Sequence, residues 1–209
     1  MSPLSLLLCL TLAGQELPTH TASSLKQGDE APKIDGVINE ALWARTTALT
    51  GLRQVLPNTG APASEKTEVR FCFGEKELFI AVSCYDSNPQ GIRQVNMARD
   101  ANLNPDDRFE LLFDTFDDDR NAFWFQMSAA GSRGDALITK NGSSFNKPWN
   151  GLWRGRSRVT DEGWFAELAI PYATLNFNPS SSEWGFNIRR FIRRNEEEAR
   201  WATASTNIY

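Results

Sequence analysis

Trp164–Tyr172 reads WFAELAIPY, and this stretch decides the fold. In an extended strand successive side chains point to opposite faces, so Trp164, Ala166, Leu168 and Ile170 share one side, and Phe165, Glu167 and Ala169 the other. Pro171 has no N–H to give to a ladder and ends the pairing. Apolar residues on both faces place the strand between two layers. Glu167, in their midst, must reach either water or a partner. The expected architecture is all-β, an antiparallel β-sandwich.

Other segments repeat the alternation. In Arg108–Asp114, RFELLFD, the residues Phe109, Leu111 and Phe113 oppose Glu110, Leu112 and Asp114. In Ala122–Ser128, AFWFQMS, the residues Phe123, Phe125 and Met127 oppose Trp124, Gln126 and Ser128. Both therefore predict strands with one apolar inward row. Glu68–Phe73 and Leu78–Cys84 predict a hairpin joined by GEKE. With Phe73 facing Leu78, Cys72 lies opposite Phe79 and Cys84 opposite Thr67, on different faces, so two free thiols are expected rather than a bridge. Further strands are predicted near 135–140, 152–160, 163–170, 184–193 and 199–203. IDGVINEALW (Ile34–Trp43) predicts a strand, a Gly turn and a short helical or irregular segment ending in a buried Trp. RRNEEEAR (Arg193–Arg200) predicts a charged hairpin or exposed turn.

The chain has 209 residues, enough for one well-buried domain; its charge is near balance at −4, and no basic stripe with interleaved aromatics suggests a nucleic-acid surface. Seven Trp and thirteen Phe are a heavy aromatic load, suited to a sandwich core or to stacking on flat ligands. The apolar run Leu4–Ala13 is too short, at ~1.5 Å per residue, to cross a bilayer core of ~30 Å. With Ala13 and Gly14 behind it, the run predicts a signal peptide over 1–15, although no Lys or Arg precedes it. A polar tail over 16–31 and one domain over 32–205 complete the expected layout.

IDGVINEALW, LFIAVSCYD, DDRFELLFDTFDDDRNAFWFQ, WFAELAIPY and WGFNIRRF together resemble the family 9 carbohydrate-binding module, from about Ile34 to Trp201. The nearest resemblance is to the version at the N-terminus of large exported bacterial proteins, where a domain of outer-membrane-barrel type follows. The resemblance implies a sandwich of immunoglobulin-like or jelly-roll character that binds sugar ends, often with structural calcium. It also implies a periplasmic or outer-membrane-associated location.

Sugar recognition needs flat aromatic faces and planar polar side chains. The outward rows offer Trp124, Gln126 and Glu110, and WGFNIRRF adds Asn187 and Arg189. Trp149, between Pro148 and Asn150, is the exposed aromatic of a loop, and Trp153 is the core one. Arg189 and Glu110 also suit a plain cross-strand ion pair, and Trp124 suits packing under a covering loop. For calcium, which takes several oxygen ligands, Asp114, Asp117 and Asp119 crowd one hairpin connection. Between Asp100 and Arg120 there are eight acids and two bases.

Catalysis finds little support. The sole histidine, His20, falls in the tail, which removes Ser-His-Asp, Cys-His and HExxH schemes. Glu110, Asp114, Asp135 and Glu167 are the carboxylates from which a glycosidase pair would come, and nothing in their spacing selects two. Haem ligation is disfavoured, with only Met97 and Met127 inside the domain. Two functions fit: a non-catalytic carbohydrate-binding module serving polysaccharide breakdown or uptake, or a periplasmic cap of a membrane barrel with no sugar affinity.

Overall fold

The computed structural model describes residues 5–7 and 18–202. Two sheets pack face to face. In the larger, seven strands run in the order β10 (Ser144–Asn146), β9 (Arg133–Thr139), β8 (Ala122–Ser128), β7 (Arg108–Asp114), β13 (Gly185–Ile192), β14 (Glu197–Arg200) and β4 (Arg53–Leu56), all neighbours antiparallel. In the smaller, β11 (Arg154–Thr160), β12 (Gly163–Pro171), β6 (Glu77–Tyr85) and β5 (Thr67–Phe73) are antiparallel, and β3 (Ser23–Ser24) joins the edge parallel to β5. This is the expected antiparallel sandwich.

The core is made of the inward rows the alternation singled out. Phe109, Leu111, Phe113, Phe125, Phe186 and Ile188 from the larger sheet meet Val69, Phe71, Ile80, Val82 and the Trp164–Ile170 row from the smaller. Phe109 stacks on Trp164 at 5.4 Å, and Phe71 meets Phe186 edge-on at 4.8 Å. The β5–β6 register pairs Phe73 with Leu78, Cys72 with Phe79 and Cys84 with Thr67, and both cysteines are buried and free.

Three segments differ from expectation. Ile34 to Asn39 form no strand: a bend leads directly into α1 (Ala41–Arg45). Residues 18–31 are not simply a tail, because β2 (Thr19–Thr21) and β3 lie against the body, with His20 on Phe71 and Ala22 in the core. The run at 193–200 turns over Arg193–Glu196 and then continues as β14 inside the sheet, where Glu197 and Arg200 are buried. Of the predicted signal segment, only β1 (Ser5–Leu7), paired antiparallel with β2, belongs to the described residues; the cleavage region lies outside them.

The second face of β12 explains Glu167. Residues 34–46 lie across the smaller sheet, so that Leu42 and Trp43 cover Cys72, Phe79, Ala81 and Ala169. Glu167, with no solvent exposure, accepts hydrogen bonds from Trp43 Nε1 (3.0 Å), Asp35 N (3.2 Å) and Gly36 N (3.1 Å). Gly36 is required there: its φ is +81°, and a Cβ would lie 2.9 Å from the Ser157 carbonyl carbon.

Burial pushes the Glu167 carboxyl from 4.5 up to about 7, against the Trp43 and backbone donors that hold it down. The folded chain therefore holds a proton here that the unfolded chain has lost, and this contribution to stability is present below pH 4.5 and gone above pH 7. Urea unfolding at pH 5 and pH 8 should show a loss on the order of 2 kcal/mol from this group, and the pH 5 to 8 difference should shrink in Glu167→Gln.

Candidate functional site

Strand pairing sets the outer face of the larger sheet. Glu110 lies opposite Gln126 on β8 and Arg189 on β13, Arg189 opposite Arg200 on β14, and Arg200 opposite Arg53 on β4. In the next row Leu112 stands between Trp124 and Asn187. Period two thus gathers Glu110, Trp124, Gln126, Asn187 and Arg189 on one surface, as the sequence suggested. Trp149 is elsewhere: its ring packs on Phe123 (5.5 Å) and Phe125 (6.2 Å), members of the inward row, and is half-buried at the edge of the core.

Glu110 organises the face. Its Oε2 accepts from Arg189 Nη2 at 2.7 Å and Trp124 Nε1 at 3.1 Å, and its Oε1 accepts from Arg108 Nε at 3.1 Å. The Arg108 guanidinium also donates to the Leu103 carbonyl and lies 3.6 Å from the Phe191 ring centroid. Burial lowers the Arg108 pKa, and Glu110 pulls it the other way. On the far side Glu198 accepts from Arg200 Nε at 2.7 Å and lies 3.9 Å from Arg189 Nε. Asn187 Oδ1 accepts from the Ala202 N–H.

Trp124 does not offer an open ring. It is 8% exposed, covered by Phe145 edge-on at 5.1 Å and by Lys147 Nζ 4.9 Å from its centroid. Phe145, on edge strand β10, keeps 51% of its surface in solvent and is the aromatic this corner presents. Gly134 lets the corner close: a Cβ there would meet Gln126 Nε2 at 2.7 Å, Lys147 Nζ at 3.0 Å and Asp100 Oδ1 at 3.2 Å. Sequence reasoning missed Arg108, Phe145, Lys147, Glu198 and Arg200. Arg108 was legible, since it shares the parity of Glu110; the others depend on how β10 and β14 pair.

The remaining candidates are dispersed. Asp114 accepts from the backbone N–H groups of Phe116, Asp118 and Asp119, and Asp118 from those of Arg120 and Asn121. Asp114 and Asp118 thus stabilise their own turn, and no group of three or more His, Cys, Asp or Glu arranged to hold a metal occurs among the described residues. Asp135 accepts from Arg99 Nη2 (2.6 Å), Trp153 Nε1 (2.8 Å) and Gly151 N (2.9 Å). Met127 is in the core and Met97 is exposed. No described helix is long and apolar enough to cross a membrane.

No family model matches the chain. Over 159 residues it is 25% identical to endo-1,4-β-xylanase C of Paenibacillus barcinonensis, covering 76% of this chain and 13% of that protein's length. Among solved structures it is similar to a family 9 carbohydrate-binding module of Caldicellulosiruptor kristjanssonii in complex with cellotriose. The TM-score is 0.61 at 13% identity, over 89% of this chain and 85% of that one. The glucose complex of a family 9 module from the same organism gives a TM-score of 0.60 at 12% identity, over 89% and 86%. This is a family 9 carbohydrate-binding module fold. At such identities the likeness between the family 9 modules and this chain lies in the arrangement of strands, and the residues of the outer face are this chain's own.

Glu110→Ala would leave Arg108, Arg189 and Trp124 facing a void. Removing one partner of a buried charge set costs about 3–5 kcal/mol, so urea unfolding should show a loss of that order. Glu110→Gln, which keeps the volume and one acceptor, should lose less.

Proposed function

We propose that this chain is a non-catalytic carbohydrate-binding module whose sugar site is the outer face of the seven-stranded sheet. The observation that carries the reading is a rigid outer face on which the part-exposed Arg189 is held by the buried Glu110, while the exposed ring of Phe145 packs on Trp124 at the sheet edge. A fixed planar donor matches the in-plane hydroxyls of a sugar, and an open aromatic matches its C–H face. Modules of the same fold held glucose and cellotriose, which supports the same ligand class here.

The module serves an exported bacterial protein that acts on polysaccharide, with any catalysis residing in another domain. Two observations support this. A short apolar run opens the sequence, and the match to a xylanase falls on only 13% of that protein, as expected of an accessory segment.

The test is titration with glucose, cellotriose and xylotriose, with and without calcium, followed by tryptophan fluorescence and calorimetry. A saturable response is expected. Arg189→Ala should abolish it, and Phe145→Ala should weaken it about tenfold, or ~1.4 kcal/mol. Trp149→Ala should lower the melting temperature without changing the affinity, because Trp149 packs on the core side. A folded protein that responds to no sugar would overturn the reading.

A further inference from the structure

The corner beside Phe145 gathers three polar side chains whose bonding capacity is not used up. Gln126 on β8 stands between Glu110 on β7 and Gly134 on β9, so this corner continues the row that holds Arg189. Gln126 Nε2, Lys147 Nζ and Asp100 Oδ1 lie 2.7, 3.0 and 3.2 Å from where a Gly134 Cβ would stand. Gln126 is buried, yet its amide makes no hydrogen bond among the described residues. Lys147 Nζ is 3.9 Å from Asp100 Oδ1, an attraction of opposite charges too long for a hydrogen bond.

Asp100 is held in place for a partner. Its φ is +60°, and its N–H donates to the Arg133 carbonyl at 2.9 Å. Arg99 Nε takes its Oδ2 at 3.3 Å and is itself fixed by Asp135, which leaves Oδ1 turned to the corner. The corner is open from outside, since the side chains of Lys147 and Asp100 keep 37% and 43% of their surface in solvent.

We infer that Asp100, Lys147 and Gln126 select the sugar by reading two neighbouring hydroxyl groups of a ring laid against Phe145. This rests on the sugar-binding reading above and names the groups of that site that set specificity. The 3.9 Å span between Asp100 Oδ1 and Lys147 Nζ admits one oxygen in contact with both. A hydroxyl suits it, because one oxygen can donate to the carboxylate and accept from the ammonium. Both bonds are charge-assisted and so among the stronger ones available to a neutral ligand. The adjacent hydroxyl meets the Gln126 amide, which can donate or accept.

The whole chain and its Asp100→Gly, Lys147→Met and Gly134→Ala variants are titrated by calorimetry with glucose, cellotriose and the monodeoxy glucoses. Circular dichroism confirms each fold. Glycine adopts φ +60° freely, so Asp100→Gly removes the carboxylate and keeps the backbone. Asp100→Gly and Lys147→Met should each weaken binding about tenfold. Gly134→Ala should weaken it too, because the added methyl displaces all three polar groups. At least one deoxy sugar should lose a comparable amount on the parent chain and nothing further on Asp100→Gly or Lys147→Met. The missing hydroxyl and its missing partner are then one interaction, whereas a merely structural role would leave the deoxy penalty in place. Full affinity in Asp100→Gly and Lys147→Met, or an unchanged deoxy penalty, would overturn this inference and leave the carbohydrate reading standing. No response to any sugar would overturn the carbohydrate reading itself, and this inference with it.

Discussion

Glu110 sits in the middle of β7 at 4% exposure, and an ionised carboxylate in that position must be surrounded by donors or give up its charge. Three side chains meet the requirement, from β7 itself, β8 and β13. Each is thereby fixed: Arg108 along the strand over Phe191, Arg189 across to β13, Trp124 with its N–H turned inward. The outer face is rigid because one buried charge dictates where its neighbours point. A preorganised face loses less conformational freedom on binding, which is the property a small, polar ligand such as a sugar demands.

The same device recurs twice. Glu167 takes the N–H of Trp43 and so fastens residues 34–46 onto the smaller sheet. Asp135 takes the N–H of Trp153 and the N–H of Gly151, fastening the segment before β11 to β9. Three tryptophans of seven thus act as donors to buried carboxylates while their rings pack. Indole suits this because it joins a large apolar surface to a single N–H that needs a partner when buried. The aromatic richness of the sequence, open to two readings, is largely structural, and the ring left to solvent at the candidate site is the phenylalanine Phe145.

Local alternation determined much of this protein. WFAELAIPY, RFELLFD, AFWFQMS, WGFNIRRF and the 68–84 hairpin state which residues share a face, and from them followed the sandwich, the core rows, the separated cysteines and the grouping of Glu110, Trp124, Gln126, Asn187 and Arg189. Period two is a property of one strand, so a single sequence reveals it. Tertiary structure alone decided that Phe145 and Lys147 cover Trp124, that Trp149 turns to the core edge, and that β14 carries Arg200 beside Arg189. These depend on which strands become neighbours, in which register, and on where a loop returns. Such contacts join residues that are not near neighbours in the chain, and no local pattern encodes them.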